Sequence, residues 1–88
     1  MVIADDHPFF RDGVARGLER SGRIQIVGEA ADGREALERI RAEDPAVALV
    51  DYEMPDLDGL AVVRAVVRDE LATKVLLLSA HTDSAVVY

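Results

Sequence analysis

The stretch Val47-Ala48-Leu49-Val50-Asp51-Tyr52-Glu53-Met54-Pro55-Asp56-Leu57-Asp58-Gly59 decides the fold. Four apolar residues run directly into an acid, and behind it come three more acids, a proline and a glycine. The apolar run reads as a short buried strand, and the proline-glycine tract as the loop that ends it. Asp51 then stands where a strand leaves its sheet, either as a turn acid or as a chemical group.

The same arrangement recurs on both sides. Met1-Val2-Ile3-Ala4 runs into Asp5-Asp6, and Lys74-Val75-Leu76-Leu77-Leu78 runs into Ser79. Ile24-Gln25-Ile26-Val27 is rich in β-branched residues and reads as a further strand, with Gly28 to Gly33 as its connector. Helical patterns lie between. Pro8 suits a first helical turn with Asp6 or His7 near the N-cap, Phe10, Val14 and Leu18 form an apolar stripe, and Ser21-Gly22 closes the helix. Asp32 and Glu35 have capping-box spacing ahead of Ala36, Leu37 and Ile40, and Pro45 ends that helix. Asp58 caps a third helix whose inward stripe is Leu60, Val63, Val66 and Val67. Thr82 or Asp83 is predicted to cap a fourth, of which Ser84 to Tyr88 are present.

Strands that are continuous apolar runs and alternate with helices predict an α/β doubly wound parallel sheet, covered on both faces. Eighty-eight residues suit one domain, and half of them are hydrophobic, enough for an efficient small core. There is no cysteine, which excludes disulfides and thiolate metal sites and fits a reducing cytoplasm. No apolar run has the length of a membrane span, and the N-terminus has no signal-peptide pattern. A net charge of −7 makes this stretch a poor partner for nucleic acid. Of its ten basic residues only Lys74 is a lysine.

In such a sheet ligands bind outside the carboxyl ends of the strands, where the strand order reverses. Asp5, Asp6, Asp51 and Ser79 all fall at strand tips. Taken singly, Asp5 and Asp6 read as helix caps and Ser79 as a turn residue. Taken together, converging carboxylates call for a counter-ion, and Mg2+ prefers oxygen ligands of this kind. A carboxylate beside such an ion can act as nucleophile toward a phosphoryl group, with Ser79 as a hydrogen-bond donor.

These residues resemble the receiver domain of two-component response regulators, over the whole chain. Asp5-Asp6 resembles the acidic pair, Asp51 to Gly59 the phosphoacceptor loop, and Ser79-Ala80 the hydroxyl residue and its small neighbour. Asp6-His7-Pro8-Phe9-Phe10-Arg11-Asp12-Gly13-Val14 and Val27-Gly28-Glu29-Ala30 resemble the NarL/FixJ (LuxR-type) class. The resemblance implies a flavodoxin-like (CheY-like) fold with strand order 2-1-3-4. It implies Asp51 as phosphoacceptor from a sensor histidine kinase. Mg2+ would be bound by Asp5, Asp6, Asp51 and the backbone carbonyl of Glu53, with Ser79 and Ala80 at the phosphoryl group. Glu53 and His81 occupy positions that tune dephosphorylation, and they read equally as solvent-exposed loop residues. Homodimerisation, and DNA binding through a C-terminal helix-turn-helix, are implied for the full-length regulator. The domain would be a cytoplasmic phosphoprotein, not an enzyme, apart from slow autodephosphorylation.

The chain departs from the family after strand four. Its expected extent is the N-terminal part of a receiver, without a fifth strand and helix, without a DNA-binding domain, and without the lysine that pairs with the acceptor. Lys74 starts a strand that Ser79 ends, about 16 Å away. The expectations are an unpaired edge on strand four, a fragment of a longer chain, and poor phosphorylation of these 88 residues. Two alternatives differ in class. A Mg2+-dependent phosphohydrolase with an aspartate nucleophile would resemble Asp-x-Asp, whereas Glu53 stands two residues after Asp51. A phosphorylation-incompetent dimerisation module would bind no Mg2+.

Overall fold

The computed structural model describes residues 1–78 in full and the backbone of 79 and 84–87. Strands β1 (Val2–Ala4), β2 (Gly28–Ala30), β3 (Val47–Asp51), β4 (Lys74–Ser79) and β5 (Ser84–Val87) form one sheet in the order β2-β1-β3-β4-β5. Helices α1 (Pro8–Arg20), α2 (Gly33–Glu43) and α3 (Gly59–Arg68) separate the first four strands, which are parallel as expected.

Alternate strand residues point to opposite faces. Val2, Ala4, Ala48, Val50, Val75 and Leu77 meet α2 and α3 through Ala36, Ile40, Val62, Val63 and Val66. Ile3, Leu49, Leu76 and Leu78 meet α1 through Val14, Ala15 and Leu18 on the other face. Both faces are thus covered by helix, which is why strands of one apolar run after another are stable here. Ile40 is fully buried, and that alone is worth roughly 1.5–3 kcal/mol.

Helix starts follow the expected chemistry. Asp32 accepts from Glu35 N at 2.8 Å, and Glu35 Oε1 accepts from Ala31 N at 2.9 Å. Asp58 accepts from Ala61 N at 2.9 Å. The N-cap of α1 is His7, which makes no side-chain capping bond. The apolar stripes differ in detail. Phe10 is half-exposed and Ala15 is the buried residue of α1. Val67 is 67% exposed while Val62 is fully buried, because α3 turns its Val62-Val63-Val66 edge to the sheet.

Two corrections concern the strands. β2 lies at Gly28–Ala30, not Ile24–Val27. Val2 to Ala4 register with Gly28 to Ala30, and the preceding residues hydrogen-bond at the start of β1 through Val27 N to Met1 O at 3.0 Å and the Met1 amino group to Gln25 O at 2.7 Å. The β-branched residues upstream are thus used beside the start of β1, where Ile26 packs against the α1 face. The second correction is at Ser84–Val87, which forms an antiparallel strand on β4 and not the first turn of a helix. Its register runs Leu76–Val87 to Ser79–Ser84. The edge of β4 expected to be unpaired is therefore paired. A row of free backbone donors and acceptors is a template for such pairing.

Candidate functional site

The sheet order reverses between β1 and β3: the chain leaves β1 for β2 on one side and returns through α2 to β3 on the other. Ala4 pairs with Val50, so the next residues, Asp5 and Asp51, emerge side by side from neighbouring strands. Both are buried, at 5% and 9% exposure. Asp6 follows on the turn into α1. One ligand atom each from Asp5, Asp6, His7 and Asp51 lies within 4.8 Å of the others.

The hydrogen bonds within this group are uneven. Asp5 Oδ1 accepts from His7 N at 2.8 Å and from the His7 ring at 3.1 Å. Among the described residues Asp51 Oδ1 accepts only a long bond, 3.4 Å, from Glu53 N. Among the described residues Asp6 Oδ1 is buried with no hydrogen bond, although His7 Nδ1 stands 3.0 Å from it outside hydrogen-bond geometry. Burial pushes the Asp51 carboxyl above the usual carboxylate range, and the charge of Asp5 adds to this against the Glu53 amide and His7. The hydrogen bond to Asp5, helped by the charge of Asp6, raises the His7 imidazole. An orphaned buried oxygen among crowded carboxylates is the environment that a hard cation relieves. The group can therefore hold a cation, and its all-oxygen carboxylates suit a hard one.

The loop after β3 is held from both sides. Tyr52 N donates to Leu78 O and Gly59 N donates to Tyr52 O, both at 2.8 Å. A Cβ on Gly59 would collide with the Leu77 side chain and the Asp51 carbonyl, so only glycine lets α3 start this close to the acid. Met54 is buried and anchors the loop in the core. An open cleft of about 530 Å³ lies above, lined by Asp6, His7, Asp51, Tyr52, Glu53 and Met54 among others.

Of the residues singled out in the sequence, Asp5, Asp6 and Asp51 are brought together. Glu53 reaches Asp51 through its backbone amide and lines the cleft. Ser79 ends β4 one residue past Leu78, the register partner of Asp51. The Ser79 side chain, Ala80 and His81 lie outside the described residues. Lys74 pairs with Val47 at the far end of the ladder, as expected of a residue that cannot serve Asp51. Two participants were not singled out. His7, placed only near a cap, sits in the cluster, and its position directly after two acids was the available signal. Arg11, which the sequence shows only on the polar side of the helix and within the Asp6–Val14 stretch, binds the tips of β1 and β2.

A parallel doubly wound sheet with a buried acid at one strand tip and an acid pair at the next defines an acid-pocket domain of the flavodoxin-like class. The chain belongs to the response regulator receiver domain family, whose model matches residues 1–88. It is 56% identical over 88 residues to the transcriptional regulatory protein NarL of Mycobacterium tuberculosis, covering 100% of this chain and 41% of that protein. It is 37% identical over 87 residues to the transcriptional regulatory protein DegU of Brevibacillus brevis, covering 99% and 37%. The solved receiver domain of Mycobacterium tuberculosis NarL superposes with a TM-score of 0.89 at 57% identity, over 91% of this chain and 64% of that one. The chain is a receiver domain with the phosphoacceptor role of two-component signalling, and the phosphohydrolase and dimerisation-module readings are not favoured. It spans less than half the length of these curated relatives. Among the described residues no helix is long and apolar enough to cross a membrane.

Proposed function

We propose that Asp51 is the phosphoacceptor of this receiver and that Asp5, Asp6, Asp51 and the backbone carbonyl of Glu53 hold Mg2+. The observation that carries this reading is the pairing of a buried, sparsely hydrogen-bonded Asp51 with an Asp6 oxygen that is buried and has no hydrogen bond. When bound, Mg2+ supplies charge neutralisation for the carboxylates and for the incoming phosphoryl oxygens. An Asp51 carboxylate oxygen attacks phosphorus, the bond from phosphorus to the donor atom breaks, and the donor leaves with that electron pair. The product is an acyl phosphate on Asp51. The Glu53 amide orients the nucleophile, and His7 and Asp6 flank the open side through which a donor reaches it.

Ser79 and Ala80 are proposed to contact the phosphoryl group, and Glu53 and His81 to tune its loss, with slow autodephosphorylation the only turnover. The donor is a sensor histidine kinase in the cytoplasm. The 88 residues act as the N-terminal part of a regulator that dimerises and binds DNA through a C-terminal helix-turn-helix. The placement of Ser79 past the register partner of Asp51 supports the first assignment, and the similarity to NarL and DegU supports the last.

The deciding experiment incubates the protein with a small phosphodonor and Mg2+ and follows its intact mass. A gain of one hydroxylamine-labile phosphoryl group is expected. Asp51→Asn abolishes the gain. Labelling that survives this substitution overturns the assignment.

A further inference from the structure

Arg11 takes no part in the transfer just described. It stands in the first turn of α1, yet its side chain is only 19% exposed. Nη1 donates to the carbonyl of Asp5 at 2.7 Å and to that of Ala30 at 3.4 Å, and Nε donates to Glu29 Oε1 at 3.2 Å. One guanidinium therefore ties the tip of β1 to the tip of β2. Asp5 N also donates to Ala30 O, at 3.0 Å, so the same tip is held twice.

The carbonyl that Arg11 grips belongs to the peptide joining Asp5 to Asp6. A peptide is a rigid plane, so only the dihedrals on either side can turn it. Those dihedrals are ψ of Asp5 and φ of Asp6, and they aim both carboxylates. The Arg side chain is a planar fork whose donors are fixed relative to one another, which makes it suited to locking such a plane against a second strand.

The geometry points to Arg11 as a positioning residue: by pinning the Asp5–Asp6 peptide to β2 it sets where the two carboxylates stand relative to Asp51, and so the affinity of the site for a divalent cation. The inference rests on the reading of Asp5, Asp6 and Asp51 as that cation site. Positioning and simple electrostatics make opposite predictions. Removing a positive charge near a cation site tightens binding by Coulomb's law alone, whereas releasing the peptide weakens it. Partners that orient metal ligands typically contribute about 10- to 100-fold in affinity.

The test measures the Mg2+ dissociation constant by calorimetry at fixed ionic strength for the unaltered protein, Arg11→Met, Arg11→Lys and Asp6→Asn, with Tm recorded in parallel. Arg11→Met is expected to weaken Mg2+ binding about tenfold or more in protein that remains folded. An unchanged or tighter constant, with only Tm lowered, makes Arg11 a structural brace and overturns the inference. Where Arg11→Met does not fold, Arg11→Lys decides. It keeps the charge but loses the fork, so several-fold weaker binding is expected and an unchanged constant overturns the inference. Failure of the underlying reading looks different: the unaltered protein then binds no Mg2+, or Asp6→Asn binds as well as it does.

Discussion

Asp5 and Asp51 leave adjacent parallel strands one residue beyond the Ala4–Val50 pair, and both carboxyls are buried. Two acids so placed repel each other and are poorly solvated, which is a local cost to folding that function requires.

The first prediction follows from that cost. The Asp51 carboxyl is raised by burial first and by Asp5 second. A raised folded-state value means that the folded protein holds the proton more tightly than the unfolded chain, so stability falls as pH rises from the ordinary carboxylate range through that raised value. Asp51→Asn removes the charge and is expected to raise Tm at pH 7 by on the order of 4 °C. The gap closes when thermal unfolding is repeated near pH 3, where the native carboxyl is itself protonated. An equal gap at both pH values would refute the electrostatic origin.

Mg2+ is the counter-charge proposed for this pair. Because the unfolded chain has no assembled site, binding stabilises the fold by about 2.7 kcal/mol at a hundred times the dissociation constant. Differential scanning fluorimetry is expected to show Tm climbing with Mg2+ and not with Na+ of equal ionic strength. In Asp6→Asn, which removes the charge of the acid whose own Oδ1 has no hydrogen bond among the described residues, most of that climb disappears.

Gly33 supports the loop that follows β3. A Cβ there would collide with the Leu57 backbone carbonyl and side chain, since the start of α2 lies directly against the loop between Asp51 and α3. Gly33→Ala forces that loop to move. The expected loss is about 1–3 kcal/mol in urea-unfolding stability. NMR amide shifts should change at Tyr52 to Asp58 more than in α1.

Asp69 carries a pH signature far from the acid cluster. Its hydrogen bonds to Arg68 and then Arg41 hold its carboxyl down at about 2, and the Arg41 contact joins the end of α3 to α2. A lowered value means that the pair's contribution is present above the ordinary carboxylate range and is lost as pH falls through about 2. An NMR titration of the Asp69 side-chain carbon is expected to show its midpoint near there. Arg41→Ala together with Arg68→Ala returns it toward the ordinary value.

Much of the site was legible because the signals are local. An apolar run ending in a polar residue marks a buried strand and its tip, and this located Asp5, Asp51 and the end of β4 at Ser79. Asp32-x-x-Glu35 and Asp58 placed two helix starts, since capping depends on residues within one turn. The failures were non-local. Ile24 to Val27 has strand-like residues, but which residues pair is set by the three-residue β1 and its register with Gly28–Ala30. Ser84 to Val87 shows no alternation that separates strand from helix, and the open edge of β4 decided it. The Val62–Val67 run is apolar on too many sides for periodicity to pick the buried one.

By itself, then, the sequence determined the alternation of the first four strands with helices, their parallel pairing and the identity of the acids at their tips, because each is encoded within a turn or a strand length. Only the tertiary structure decided what those acids face. The adjacency of β1 and β3 sets the Asp5–Asp51 pairing, a buried orphan oxygen marks Asp6, and Arg11 reaches across from α1 to hold their shared peptide. Those are distances between segments far apart in the chain, and they exist only once the strands have chosen their neighbours.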